Sequence, residues 1–204
     1  MLVNQANLDV KAAASAKSEA RIVLTGVNFD SENTTATNAH ILLSCELPKV
    51  DITEYPAVQG LPEGDAEFSA IVPLNGLKIK KSKNLPILNN AMVVKKEGVV
   101  SIATTDLETV QREDIRVVEG SYPPYKQVIP DAEPVAQVFL DPHYLAIIGE
   151  YFAKHGADNV VKISLYGESS PVKFEGITPE GQKITGVIMP IYAPRNDTAK
   201  KMSE

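Results

Sequence analysis

The side chains that could perform catalysis are few and widely spaced in this sequence. The three histidines are His40, His143 and His155, and the single cysteine is Cys45. CxxC and HExxH spacings and a glycine-rich phosphate-binding loop are all missing from it, so the sequence predicts neither a metal nor any other cofactor. A nucleophilic pair of Cys45 and His40 is the enzymatic alternative, but five residues apart on one strand their side chains would point to opposite faces. We therefore expect a protein that is not an enzyme.

Composition indicates a soluble globular protein. The chain has 204 residues, of which 44% are hydrophobic and 23% charged, enough for one large or two small domains. The net charge of −6 argues against indiscriminate nucleic-acid binding by the whole surface, although a local basic face stays possible. A single cysteine, no long apolar run and no secretory leader together favour the cytoplasm.

A unit of strand, helix and several strands recurs three times along the chain. Because one sheet with one helix cannot bury its apolar face alone, such units are expected to pack on one another. The sequence thus predicts an α+β fold of antiparallel strands with the helices on one face of the sheets. The predicted units are 1–66 and 67–130, which form one domain, and 131–193, a half-domain that is followed by a polar tail over 194–204.

Terminal residues and apolar spacing predict the individual elements. Asp9 is expected at the start of the first helix, the polar tetrad Asp30–Asn33 predicts a hairpin, and Pro142 and Gly156 delimit the third helix. Helices are predicted at 8–20, over a lysine-rich stretch ending near 84, and at 142–155. Strands are predicted at 21–29, 34–47, 68–73, 91–95, 99–104, 115–119, 135–140, 160–166, 172–175 and 183–189.

Two segments resemble parts of the bacterial DNA polymerase III β subunit, the sliding clamp. Residues 120–130, GSYPPYKQVIP, are similar to the segment that closes the middle clamp domain, and residues 187–191, VIMPI, are similar to the Met-Pro ending. Residues 36–42, ATNAHIL, are similar to a clamp hairpin ending in Ala-Thr-Asp-Gly-His-x-Leu. The resemblance extends from about residue 2 to 192. It implies the middle domain followed by only the second half of the last domain.

This resemblance implies a processivity factor that binds partners through an apolar, proline-edged groove. The implied partners are a DNA polymerase and clamp-loader-type proteins, each through a short peptide. Methionine in such a groove supplies an adaptable surface for varied peptides. Without the resemblance, the apolar strand residues would be interpreted as ordinary buried core. The groove residues that the resemblance implies are Leu24, Thr37, His40, Leu42, Pro123, Val128, Pro171, Val187, Met189, Pro190 and Ile191.

The resemblance also implies contact with duplex DNA without sequence specificity. Clamp helices line a hole with basic residues that contact phosphates loosely, although a lysine-rich helix face is more often simply solvated. The candidate DNA-facing residues are Lys11, Lys17, Arg21, Lys78, Lys80, Lys81 and Lys83.

Three units per chain leave the third without a sheet partner. We expect a homo-oligomer in which third units of two chains pair across a two-fold axis, and four such chains would supply as many units as a complete clamp ring. The functional alternative is an adaptor or decoy that binds clamp-binding peptides without encircling DNA.

Overall fold

A computed structural model describes residues 1–16, 21–75, 78–80 and 82–191 of the chain. These residues fall into two compact units, of which unit 1 is Met1–Ile129 and unit 2 begins at Pro130. The predictions for Lys17, Lys81 and the polar tail lie outside the described residues.

Short strands and few helices make up both units. The strands are β1 Leu2–Asn4, β2 Val27–Phe29, β3 Asn33–Thr37, β4 Leu42–Glu46, β5 Ala70–Val72, β6 Asn90–Lys96, β7 Val99–Thr105, β8 Val110–Arg116, β9 Lys162–Ser164, β10 Val172–Ile177 and β11 Lys183–Ile188. The α-helices are α1 Gln5–Asp9 and α2 Pro142–His155. The 3₁₀ helices are Val10–Ala13, Ile22–Thr25, Ile52–Glu54, Pro86–Asn89 and Tyr125–Val128.

Unit 1 contains two repeats that exchange their opening strands. Its two antiparallel sheets have the strand orders β1-β6-β7-β8 and β4-β3-β2-β5. The strand that opens the first repeat, β1, therefore pairs with β6 of the second, and β5 of the second repeat pairs with β2 of the first. One buried cluster contains Val3 and Phe29 from the first repeat and Val93 and Ile102 from the second. The two repeats consequently share a single core.

The first helix begins earlier than predicted. Asn4 Oδ1 accepts hydrogen bonds from the Ala6 and Asn7 amides at 2.9 and 3.3 Å, and Asn7 Oδ1 accepts one from the Asn4 amide at 3.0 Å. This reciprocal cap satisfies the free N–H groups at the helix start, so Asp9 ends the α-helix instead of beginning it. A 3₁₀ turn follows and stops at Ala13, so the predicted helix over 8–20 is wrong in its bounds.

The predicted lysine-rich helix is not found in the described residues between 74 and 84. Ile79 is buried there, and its amide donates to Gln5 Oε1 at 2.8 Å. The Ser82 amide likewise donates to Asn89 Oδ1 at 2.6 Å. These side-chain acceptors take the place of helical backbone partners.

The sequence predicts the position of the Asp30–Asn33 hairpin better than it predicts the ends of the strands. The Asp30–Asn33 hairpin is confirmed, because Asp30 Oδ1 accepts from the Glu32 and Asn33 amides at 2.9 and 2.8 Å. The strand predicted at 115–119 is instead β8, and residues 135–140 form no strand. Residues 22–25 are a 3₁₀ helix where strand was predicted.

Unit 2 packs α2 on one face of the sheet β11-β10-β9. Asp141 Oδ1 accepts from the His143 amide at 2.8 Å, and the Gly156 amide donates to Phe152 O at 2.8 Å, which confirms the predicted bounds of this helix. A Cβ atom on Gly176 would lie 2.8 Å from the Phe152 ring, so this glycine lets the helix approach the sheet closely. No helix in the described part of the chain is long and apolar enough to span a membrane.

Candidate functional site

Three segments of unit 1, far apart in sequence, line one open cavity of about 570 Å³. They are the 3₁₀ helix Ile22–Thr25, the turn between β3 and β4, and residues 123–128. Six residues of the predicted groove are among its lining: Leu24, Thr37, His40, Leu42, Pro123 and Val128. We call this cavity the apolar groove.

The 3₁₀ helix Ile22–Thr25 supplies the first wall. The Leu24 amide donates to Arg21 O at 2.9 Å, and Leu24 O accepts from the Ser15 amide at 2.9 Å. The Thr25 hydroxyl donates to Ile22 O at 2.7 Å. These bonds hold the Leu24 side chain in place at 5% exposure, so it forms a fixed part of the wall.

A tightly bonded turn supplies the second wall. Thr37 Oγ1 accepts from the Ala39 amide at 3.1 Å and donates to Ile41 O at 2.7 Å. Asn38 Oδ1 accepts from the amides of His40 and Ile41 at 2.9 and 3.0 Å. Ala39 adopts a left-handed backbone with φ of 74°. Glycine favours that conformation, which explains why the similar clamp hairpin has glycine at this position.

The 3₁₀ helix Tyr125–Val128 supplies the third wall and is anchored from behind. The Tyr125 hydroxyl, on a buried side chain, donates to Asp30 Oδ2 at 2.9 Å. Lys126 forms an ion pair with Glu32, which raises the pKa of the lysine. Val128 is 70% exposed on this same turn. The anchors thus fix the backbone and leave an apolar side chain in solvent.

Tyr122 is half-buried beside this anchor, and its hydroxyl oxygen is buried. Its ring meets the Tyr125 ring edge to face, with centroids 6.5 Å apart. Burial raises the pKa of Tyr122 to about 12, and the Thr37 backbone opposes the shift. That backbone contact does not reach hydrogen-bond geometry, so within the described residues the hydroxyl has no well-formed partner.

Sequence reasoning missed several residues that line the apolar groove. Arg21, predicted to face DNA, also lies there. The further lining residues are Val23, Ala39, Ile41, Pro124, Tyr125 and Gln127. These six lie within two residues of predicted groove residues, so the motifs locate the segments, and the structure shows which of their side chains reach the cavity.

The five predicted groove residues of unit 2 lie near one end of its sheet. Val172 pairs with Ile188, which places Pro171 and Met189 at the same end of β10 and β11. Val187 and Met189 are 55% and 64% exposed, and Pro171 and Ile191 are exposed as well, while Pro190 is half-buried. Unit 2 therefore presents its own small apolar surface.

Comparison with solved structures identifies the fold of this chain. No protein-family model matches the sequence, and no curated protein matches it. The crystal structure of the DNA polymerase β subunit of Streptococcus pyogenes matches with a TM-score of 0.63 at 16% identity, covering 94% of this chain and 50% of that one. This chain has the sliding-clamp fold. The predicted α+β fold and the predicted resemblance are thereby confirmed.

Other solved clamps show the same sliding-clamp fold. The clamp of Pseudomonas aeruginosa matches with a TM-score of 0.61 at 16% identity, covering 94% of this chain and 51% of that one. The clamp of C. crescentus matches with a TM-score of 0.57 at 18% identity, covering 94% of this chain and 50% of that one. The chain thus spans about half the length of the clamps that it matches.

Those candidate DNA-facing residues that the structure describes do not lie on α-helices. Lys11 is half-buried in the 3₁₀ helix Val10–Ala13. Lys78, Lys80 and Lys83 are exposed, but the described residues around them are not helical. The expectation that a second helix carries these lysines is therefore wrong, because that stretch is held by side-chain acceptors.

Cys45 lacks the environment that a nucleophilic thiol requires. Burial, with a further contribution from Glu46, raises the pKa of the Cys45 thiol, whereas a nucleophilic cysteine needs a lowered pKa. His40 lies in the turn before β4 and Cys45 on that strand. Over the described ranges, no group of three or more His, Cys, Asp or Glu residues could hold a metal ion.

Proposed function

We propose that this chain is a sliding-clamp-like processivity factor of a DNA polymerase. It would bind short peptides of the polymerase and of clamp-loader-type proteins in the apolar groove, contact duplex DNA without sequence specificity, and act as a homo-oligomer. The observation that carries the proposal is the convergence of six residues, chosen from the clamp resemblance alone, on one cavity of unit 1. The sliding-clamp fold also fits a protein that is not an enzyme.

The apolar groove has the physical properties that peptide capture needs. Its walls are fixed by backbone and side-chain hydrogen bonds, so little conformational entropy is lost when a peptide binds. Leu42 and Val128 leave apolar surface accessible inside it. Pro123 and Pro124 fix their own backbone φ angles and so stiffen the third wall. A partner peptide with large apolar side chains would bury this surface, and that burial supplies the affinity.

Two neighbouring leucines test the groove. Leu42 lines it, while Leu43 is 42% exposed and does not. We expect Leu42→Ala to weaken binding about tenfold or more, since each 1.4 kcal/mol of lost apolar contact is a factor of ten. The measurement is fluorescence polarisation with a labelled peptide that carries the clamp-binding motif of a bacterial replicative polymerase. Equal affinities for Leu42→Ala, Leu43→Ala and the parent chain would refute the groove.

The proposal includes the five unit 2 residues because the resemblance implies them. Met189→Ala tests this part separately in the same titration. Met189 is largely exposed and lies outside the unit 2 core, so its removal should leave the fold intact. Unchanged affinity would restrict the peptide site to unit 1.

Encirclement of DNA is tested by synthesis on a long primed template. A processivity factor should form closed oligomers and increase the length of the products of its polymerase. Lys78→Glu, Lys80→Glu and Lys83→Glu together should weaken association with duplex DNA and reduce its salt dependence. Peptide binding without closed oligomers or longer products would instead support the adaptor alternative.

A further inference from the structure

Unit 1 shows how an opening strand is held in this fold. On one side of β5, the Val118 amide donates to Ile71 O at 2.8 Å, within the same repeat. On its other side, β5 pairs with β2 of the other repeat. Ala70 and Val72, which flank Ile71, point into the shared core. The strand β5 thus has one edge satisfied by its own repeat and one by the neighbouring repeat.

The opening segment of the third repeat, Val138–Leu140, is bonded to its own repeat on one edge, and on its other edge it has no partner among the described residues. The Ile191 amide donates to Phe139 O at 2.9 Å, in the same sense as the bond between Val118 and Ile71. Val138 and Leu140 pack against the unit 2 core, as Ala70 and Val72 do in unit 1. Since N–H and C=O groups alternate in direction along an extended segment, those of Val138 and Leu140 point away from Ile191. No strand among the described residues pairs with them.

The strand that should receive such a segment is also incomplete. In unit 1, β2 lies between β3 and β5, whereas within the described ranges its counterpart β9 pairs with β10 alone and forms the sheet edge. Ile163 on β9 is 54% exposed and Val160 beside it is 68% exposed. An exposed apolar sheet edge is a site for pairing with another chain.

An apolar cavity of about 180 Å³ accompanies this edge. It lies between α2 and β9 and is lined by Leu145 and Ile148 on one side and by Val161 and Ile163 on the other. In the unit 1 core the corresponding space is filled from both repeats. The helix of unit 2 buries only Phe152, so most of its apolar surface is still accessible.

We propose that two copies of this chain complete each other by reciprocal strand exchange. Residues Val138–Leu140 of each copy would pair antiparallel with β9 of its partner, and the two helices and sheets would then share one core, as the repeats of unit 1 do. The occupant is a second copy because the described part of each chain carries one vacant edge and one unpaired segment, which a two-fold axis satisfies together. Only residues 130–137 lie between unit 1 and this segment, too few to supply another repeat.

This inference specifies the interface of the homo-oligomer in the proposed function and rests on that part of it. Peptide capture by the apolar groove does not depend on it. A monomer that binds the peptide would therefore overturn the strand exchange alone, and an oligomer that ignores the peptide would overturn the groove alone.

Two isoleucines of unit 2 provide the test. Ile163 faces α2, because it lies opposite Phe174, while Ile177 has nearly the same exposure, 55%, on the other face of the sheet. In sedimentation equilibrium the parent chain is expected at twice, or an even multiple of, its 22.1 kDa mass. Ile163→Lys should halve that mass, since a charge would be buried in the shared core, and Ile177→Lys should leave it unchanged. A single-chain mass for the parent over a hundredfold concentration range, or equal masses for both variants, would overturn the inference.

Amide hydrogen exchange tests the strand pairing itself. Exchange at 138–140 and at 162–164 should slow as the concentration of the parent chain rises, and Ile163→Lys should abolish this dependence. Oligomers that form without slower exchange in both segments would show that another surface is used.

Discussion

Replacement of Tyr125 by phenylalanine is expected to loosen the third wall of the apolar groove. The substitution keeps the buried ring and removes only the hydroxyl that donates to Asp30 Oδ2 at 2.9 Å. A hydrogen bond to a charged acceptor contributes about 1.5–3 kcal/mol to the free energy of unfolding. With about 2–4 °C of Tm lost per kcal/mol in a protein of this size, the unit 1 transition should fall by roughly 3–12 °C.

Tyr122 offers a matched control for this measurement. Its hydroxyl is buried but lacks a well-formed partner in the described structure, so Tyr122→Phe removes a buried polar group without breaking a hydrogen bond. That change should be neutral or raise the stability by up to about 1 kcal/mol. Both variants would be compared by scanning calorimetry and by peptide titration, where Tyr125→Phe alone should weaken binding. Equal destabilisation by the two substitutions would refute the assigned anchor.

Three further outcomes are expected. Ala39→Gly should raise the free energy of unfolding by about 0.5–1 kcal/mol in chemical denaturation, because it relieves a left-handed alanine; a loss of stability would contradict this. Asn7→Ala should lower it by about 2–3 kcal/mol, since Asn7 Nδ2 donates to Thr34 Oγ1 and Glu46 O at 3.2 and 2.9 Å. In ultraviolet titration, one tyrosine should ionise near pH 12 and vanish from the curve in Tyr122→Phe. Folding raises the pKa of Tyr122 from its ordinary value of 10.0 to about 12. The contribution of neutral Tyr122 to the free energy of unfolding is therefore fully present below about pH 10 and is lost as the pH rises toward 12.

Motifs predicted the segments of the site better than periodicity predicted its elements. The residues 120–130 and 36–42 were identified by their order and spacing, and the turn chemistry of Asn38 and Thr37 explains why such a motif fixes local geometry. The polar tetrad predicts the hairpin at Asp30, and Pro142 and Gly156 predict the third helix. In the structure, side-chain acceptors on Asp30 and Asp141 fix both starts.

Predictions failed where contacts distant in sequence decide the backbone. The lysine-rich stretch was expected to be helical, but the Ile79 amide is bound by Gln5 of the other repeat, a partner that local pattern cannot reveal. The first helix begins earlier than its apolar spacing predicts, because its cap is Asn4 and not Asp9. Exchange of β1 and β5 between repeats also left no local signal, since each strand looks the same whichever sheet receives it.

The interlocking of the two repeats in unit 1 bears on how this protein could be divided. Each half carries the edge strand that the other half needs, so neither would be a viable miniprotein when expressed alone. A backbone cut at the exposed turn near Gly60 would nevertheless leave both complementary pieces whole. When they are mixed, the two fragments should reassociate without a covalent link, so unit 1 would fold by fragment complementation.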